Sequence, residues 1–365
     1  MALKVAIVGL PNVGKSTLFN AVTQTAAAQA ANYPFCTIEP NVGEVAIPDP
    51  RLEALARIAG SKEIIPARIT FVDVAGLVRG ASKGEGLGNQ FLANIRDCDA
   101  IALVARCFED GDVAHVEGRV DPLSDLDIID TELMLADLES LEKRVVNLEK
   151  RAKSGDKEIV ATLRLANLAL AELSAGRPAR MAKVAADDAK AWRMLQLLTT
   201  KPALYVCNVD ETSAGTGNAL SAAVSARAAA DGAKAVVISA RIESEIALLE
   251  PAERAEFLET LDLTEPGLDR LIHEAYKLLG LQTYFTAGPK ETRAWTIPVG
   301  VTAPQAAGVI HTDFEKGFIR AETIAFDDYV RLGGEAGARD AGKMRSEGKE
   351  YLVRDGDVMH FRFNV

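Results

Sequence analysis

The chain lacks most of what would mark a secreted, metal-clustering or nucleic-acid-coating protein. Its four cysteines, Cys36, Cys98, Cys107 and Cys207, form no C-x-x-C pair and stand far apart. That pattern argues against a disulfide framework or thiolate metal centre and for buried, inert thiols in a reducing compartment. The four histidines are equally scattered. No run of about 18 apolar residues is present to span a bilayer, and the first residues read as a strand, not a signal peptide. The expectation is a soluble, cytoplasmic protein with no membrane partner. Positive charge is also short: 41 Lys and Arg stand against 52 Asp and Glu, a net charge of −11. Such a chain does not coat nucleic acid by bulk electrostatics, so any such contact has to come from local basic clusters. There are no internal repeats. At 365 residues the chain is long enough for two or three domains with sizeable cores.

What is present begins with Gly9-Leu10-Pro11-Asn12-Val13-Gly14-Lys15-Ser16-Thr17, after the apolar run Val5–Val8 and before a helix-compatible stretch. This is G-x-x-x-x-G-K-[ST], the phosphate-binding loop of P-loop NTPases. Its glycines let the backbone curl so that successive N–H groups face phosphate oxygens. Asn12, Val13, Gly14, Lys15, Ser16 and Thr17 are therefore candidate nucleotide contacts. Lys15 reaches the β- and γ-phosphates and is a candidate catalytic group, and the Ser16 hydroxyl can ligate Mg²⁺.

Short apolar or β-branched runs at 3–8, 69–74, 101–105, 203–207 and 235–239 have helix-compatible segments between most of them. The pattern predicts an α/β, mostly parallel sheet with helices on both faces and ligands at the strands' carboxyl ends. Between about 127 and 200 the period changes. Met134, Leu138, Leu141, Val145, Leu148 and Ala152 make a coiled-coil seam, residues 153–157 can break the helix, and further helices are expected over 158–174 and 183–199. This reads as a helical arm inserted in the nucleotide domain. From about 284, short segments at 294–299, 319–324, 351–353 and 359–363 read as strands of a small mixed α+β module.

Two further motifs complete the nucleotide site. Asp73-Val74-Ala75-Gly76 ends a strand as D-x-x-G, where Asp73 holds Mg²⁺ through water and the Gly76 N–H meets the γ-phosphate. Thr37, in Asn32–Thr37, is a candidate switch threonine completing the metal shell. At the base end, G proteins carry N-K-x-D, whose aspartate reads guanine. Here Asn208-Val209-Asp210-Glu211 puts valine for the lysine and a longer carboxylate for the aspartate, and Ser239-Ala240-Arg241 stands where S-A-K is usual. Asn208, Val209, Glu211, Ser239 and Ala240 are the candidate base contacts.

These motifs, with Asn32–Asn41, Asp73–Ser82, Arg106-Cys107-Phe108-Glu109-Asp110 and Thr292-Arg293-Ala294-Trp295-Thr296, resemble the YchF/Obg-like ATPase subfamily of the Obg group of P-loop proteins. The resemblance spans essentially the whole chain. It implies a G-protein-like nucleotide domain over 1–126 and 201–283, the inserted α-helical coiled-coil arm over 127–200, and a TGS (β-grasp) domain over 284–365. It also implies a preference for ATP through N-x-x-E and association with ribosomes, as 50S subunits or 70S particles, through rRNA or ribosomal proteins. A monomer is expected.

Leu77 occupies the place where many GTPases keep a water-orienting glutamine. The resemblance favours His115, in the polar loop after the third strand, as the replacement; the alternative is an ordinary surface histidine. Asn12 holds the position used by cation-activated relatives to ligate K⁺. Candidate RNA contacts are Lys143, Arg144, Lys150, Arg151 and Lys153 along the arm, Arg177, Arg180 and Lys183 near its turn, and Lys343, Arg345 and Lys349. Three readings stand: a ribosome-associated ATPase, a GTPase of ribosome assembly, and a nucleotide-gated interaction protein in which hydrolysis is incidental.

Overall fold

The computed structural model describes residues 3–32, 41–74, 87–111, 115 and 118–364. Its first sheet contains β1 (Lys4–Val8), β2 (Val42–Ala46), β4 (Arg68–Asp73), β5 (Ala100–Arg106), β6 (Ala203–Asn208) and β7 (Lys234–Ile238), while β3 (Glu63–Ile65) belongs to the second. The first sheet has the order β2-β4-β1-β5-β6-β7, parallel from β4 through β7. β5 and β6 are buried along their whole length, as strands covered on both faces must be. β1 has β4 on one side and β5 on the other, so the chain reverses its direction of travel across the sheet there. Such a switch opens a crevice at the carboxyl ends of the strands, and the glycine-rich loop leaves β1 at that point.

The helices that matter for the site are α1 (Lys15–Asn32), α2 (Pro50–Ala59), α3 (Leu87–Arg96), α4 (Pro122–Ala152), α5 (Lys157–Ser174), α6 (Ala189–Arg193), α7 (Ala219–Ala230) and α8 (Ala240–Ile246). α4 starts five residues before the expected arm boundary, with Pro122 in its first turn and Asp121 accepting from the Ser124 N–H at 3.2 Å. Its seam is real: Leu141 and Val145 are buried against Leu165, Ala169 and Leu173 of α5, with Met134, Leu138 and Leu148 packed alongside. Gly155, at φ 78°, and the Asp156 cap make the break between the two helices.

The helix expected over 183–199 is not formed. Only Ala189–Arg193 is α-helical, flanked by 3₁₀ turns at 186–188 and 198–200. The buried Asp137 carboxylate supplies the reason. It accepts from the backbone N–H groups of Leu198 (2.8 Å) and Thr199 (2.7 Å) and from the Thr199 hydroxyl (2.7 Å), taking donors that a helix would have used internally. Gln196, at φ 53°, turns the chain just before them.

A second compact unit contains residues 44–69 and 276–365, whereas 70–275 belong to the first. Its sheet adds β8 (Leu281–Ala287), β9 (Glu291–Pro298), β10 (Phe318–Ala325), β11 (Arg345–Glu347) and β12 (Asp357–Phe363), in the order β11-β10-β12-β8-β9-β3. β8 and β9 form an antiparallel hairpin, β12 runs parallel to β8, and β10 is antiparallel to β12. The 303–310 helix buries Ala303, Ala306 and Ala307 in a core with Tyr284, Ile297 and Phe361. This is the mixed α+β module expected at the C-terminus, with two differences. Residues 351–353 make an isolated bridge, Thr302 to Leu352, and no strand. The module also recruits the early segment: β3 pairs parallel with β9, and Arg51 of α2 bonds both Asp49 and Asp355.

Candidate functional site

The loop between β1 and α1 is built by close packing. A side chain at Gly9 would place its Cβ 2.7 Å from the Val104 carbonyl oxygen, and one at Gly14 would lie 2.1 Å from Asn208 Nδ2. Gly14 also has φ 93°, and Asn12 takes the left-handed conformation at φ 63°. Lys15 is 7% exposed, and its ammonium donates to the Leu10 carbonyl at 2.6 Å, closing the loop on itself. Burial pushes this lysine down to about 8, opposed by the charge of Asp73.

Asp73 ends β4 beside Lys15. Burial raises its carboxyl above the usual range, with Lys15 pulling the other way. Its Oδ1 is buried and has no hydrogen-bond partner among the described residues. An orphaned carboxylate oxygen facing Lys15, with the exposed Ser16 hydroxyl one residue on in the chain, supplies the oxygen donors a hard divalent cation takes, so the residues fit Mg²⁺. Thr37 and Gly76 lie outside the described residues.

A cleft of about 520 Å³ runs from this loop to the ends of β6 and β7. It gathers Asn12, Gly14, Lys15, Ser16 and Thr17 with Asn208, Val209, Glu211, Ser239 and Ala240, which the sequence pattern selects from three distant segments. Val13 sits behind the loop, fully buried, and offers its backbone. Asn208 is a strut: its Nδ2 donates to the Val13 carbonyl and its Oδ1 accepts from the Ala240 N–H, both at 2.9 Å. Val209 is 3% exposed and presents an apolar surface to the cleft. Asp210 caps the 3₁₀ turn at 211–213, accepting from the Ser213 N–H at 3.1 Å. Glu211 pairs with Arg241, and the buried Ser239 hydroxyl has no partner among the described residues.

The cleft has a wall that the candidate residues omitted: Phe108, Glu109 and Asp110. It is braced by Arg106, 1% exposed, which donates to the carbonyls of Phe108 and Asp110 (3.2 Å each) and lies 4.6 Å from the Phe108 ring centre. The signal was available, because Arg106–Asp110 is one of the stretches that carries the family resemblance. A buried arginine at the end of an apolar strand has to satisfy its donors locally, and here the loop carbonyls of Phe108 and Asp110 accept from it.

His115 is neither a surface histidine nor a lining residue of this cleft. Its Nε2 lies 2.9 Å from Asp125 Oδ2 at the start of α4, with both side chains nearly buried. Cys98, Cys107 and Cys207 are free and buried, as expected; burial pushes the Cys98 thiol up to about 11. Cys36 lies outside the described residues.

The basic candidates separate into two groups. Arg180 is tied to Asp130 (3.4 Å), Arg177 to Glu172 (2.7 Å), Lys143 to Glu139 (2.6 Å) and Arg345 to Glu347 (3.0 Å), and Arg144 donates to the Leu195 carbonyl. Lys150, Arg151, Lys153, Lys183, Lys343 and Lys349 are exposed, and they form no ion pair among the described residues.

Two family models match the chain. One, for a 50S ribosome-binding GTPase, matches residues 4–151, and the other, for the YchF-GTPase C-terminal region, described as a protein of unknown function, matches 281–364. The chain is 57% identical to the ribosome-binding ATPase YchF of Haemophilus influenzae and 53% identical to that of Bacillus subtilis, over 100% of both chains in each case. The solved structure of the Schizosaccharomyces pombe YchF GTPase is 37% identical and superposes with a TM-score of 0.88, covering 99% of this chain and 97% of that one.

Proposed function

The chain belongs to the YchF family, and from that membership and the construction of the cleft we propose that it binds and hydrolyses ATP with Mg²⁺ and associates with ribosomes, as 50S subunits and 70S particles. The observation that carries the nucleotide reading is the single cleft joining Gly14-Lys15-Ser16 to Asn208 and Glu211. A triphosphate lying along it meets phosphate-binding groups at one end and base-facing groups at the other. Phe108 and Val209 supply apolar surface for a purine ring, and Glu211 replaces the aspartate that reads guanine.

In this reading Lys15 exchanges the Leu10 carbonyl for phosphate oxygens, which gives a buried, partly compensated charge an anionic partner. Asp73 and Ser16 are the residues that would hold Mg²⁺, which supplies charge neutralisation across the β- and γ-phosphates. For His115 to orient the attacking water, its bond to Asp125 has to open. Asn12 is the residue to which a K⁺ requirement would trace. The exposed lysines of the arm and of the C-terminal module, which we read as a TGS domain, supply the local positive charge that an acidic chain needs for rRNA.

Calorimetry with ATP and GTP, together with co-sedimentation with 50S and 70S particles, tests the proposal. ATP is expected to bind more tightly than GTP. Replacing Lys150, Arg151 and Lys153, or Lys343 and Lys349, with alanine is expected to weaken co-sedimentation and flatten its salt dependence. Co-sedimentation unchanged in both sets at every salt concentration would remove these clusters from the contact. The second reading, a GTPase, is favoured by the likeness to the S. pombe YchF GTPase and by the carboxylate at Glu211. GTP binding tenfold tighter than ATP would establish it.

A further inference from the structure

The base end of the cleft contains an ion pair to which nucleotide binding alone gives no role. Arg241 Nε lies 2.7 Å from Glu211 Oε1, and both side chains line the cleft. We propose that Arg241 is a positioning residue that sets purine choice, holding the Glu211 carboxylate so that guanine is disfavoured. This rests on the reading of the cleft as a purine nucleotide site.

A carboxylate reads guanine by accepting from the N1–H and the N2 amino group together, which engages both of its oxygens. In this chain one of those oxygens is committed to a guanidinium. Guanine has to open the pair or share that oxygen with it. Adenine has neither an N1–H nor an N2 amino group, so it makes no such demand. The free energy of opening the pair therefore weakens GTP and leaves ATP untouched.

Both partners stand on anchored backbone. Glu211 begins the 3₁₀ turn fixed by Asp210, which accepts from the Ser213 N–H and hydroxyl at 3.1 and 3.0 Å. Arg241 lies in the first turn of α8, one residue after the Ala240 N–H held by Asn208. The carboxylate is thus tethered from a fixed point. The side chains are 75% and 46% exposed, so water and salt screen the pair. An effect of about two- to fivefold on the GTP-to-ATP affinity ratio is the scale expected of such a pair, shrinking as salt rises.

The test is a set of ATP and GTP titrations on the full chain at low and high salt. Arg241→Ala is expected to improve GTP binding relative to ATP by about two- to fivefold at low salt. Arg241→Lys, which keeps the charge, is expected to restore the wild-type ratio, and Arg241→Ala in a Glu211→Ala background is expected to change nothing. Either an unmoved ratio in Arg241→Ala with ATP binding intact, or a shift that persists without Glu211, overturns this inference alone. A wild-type chain that binds neither nucleotide overturns the reading of the cleft and the inference with it.

Discussion

The side-chain amide of Asn208 donates to the carbonyl of Val13 at 2.9 Å, so the end of β6 props the phosphate loop from behind. The same side chain accepts from Ala240, and at 4% exposure it has almost no access to water. Asn208 thereby links the glycine-rich loop to the start of α8 through two hydrogen bonds within the protein.

Asn208→Ala leaves a buried carbonyl and a buried N–H unpaired, at a cost of about 1–3 kcal/mol for each group. The variant is expected to melt at lower temperature and to bind ATP more weakly. Thermal melts with and without ATP check this; wild-type values in both would show that the strut is dispensable.

Lys15 predicts a pH dependence. Its folded-state value is depressed to about 8 by burial, and a bound triphosphate raises it by giving the charged form a partner. Below about pH 8 the lysine is already charged and affinity is level. Above it, each binding event has to draw a proton, and affinity falls by up to about tenfold per pH unit until the raised value is reached. Calorimetry at about pH 8.5 in buffers of different ionisation enthalpy is expected to register proton uptake, absent from Lys15→Met. Equal heats in every buffer would count against it.

Asp73 is expected to trade stability for function. Its folded carboxyl lies above the ordinary value because of burial, so the ionised form weakens the fold at neutral pH, and that penalty is relieved as pH falls. Asp73→Asn is therefore expected to melt at higher temperature than wild type without nucleotide, while losing Mg²⁺-dependent turnover. A chelator should abolish wild-type turnover as well. A less stable Asp73→Asn that still hydrolyses ATP would contradict both halves.

His115→Ala removes an imidazole and, with it, the contact that the ring makes to the nearly buried Asp125 Oδ2. If His115 orients water, kcat is expected to fall about tenfold or more with the ATP dissociation constant near wild type, alongside a lower melting temperature. Asp125→Asn keeps a hydrogen-bonding partner for the ring and is expected to retain turnover. Unchanged kcat in His115→Ala would leave the residue a purely structural role.

What the sequence made legible follows from how local each signal is. Gly9–Thr17 declares itself because one turn needs Gly9, Gly14, Lys15 and Ser16 at fixed spacing. The α4 seam is legible because a helix repeats its burial every three or four positions. The segment before Thr200 misled, since its apolar spacing carries no trace of Asp137, some sixty positions away, which claims the Leu198 and Thr199 N–H groups. The setting of His115 was equally illegible: a polar loop suggests exposure, and only the fold brings Asp125 to it. The Phe108–Asp110 wall lies in a stretch that carries the family resemblance, but nothing local says that Arg106 points inward and braces it.

The pairing of β3 with β9 imposes an order on folding during synthesis. Glu63 lies opposite Glu291, so an edge strand leaves the ribosome more than two hundred residues before its partner exists. At typical elongation rates the gap is roughly ten to fifty seconds. Through that time β3 lacks the β9 edge it pairs with, and α2, which buries Leu52 and Leu55 in the folded chain, lacks the later elements of its unit. The second unit therefore matures only after the last strands are made, and a nascent chain stalled before β9 carries an early segment that has nowhere to fold.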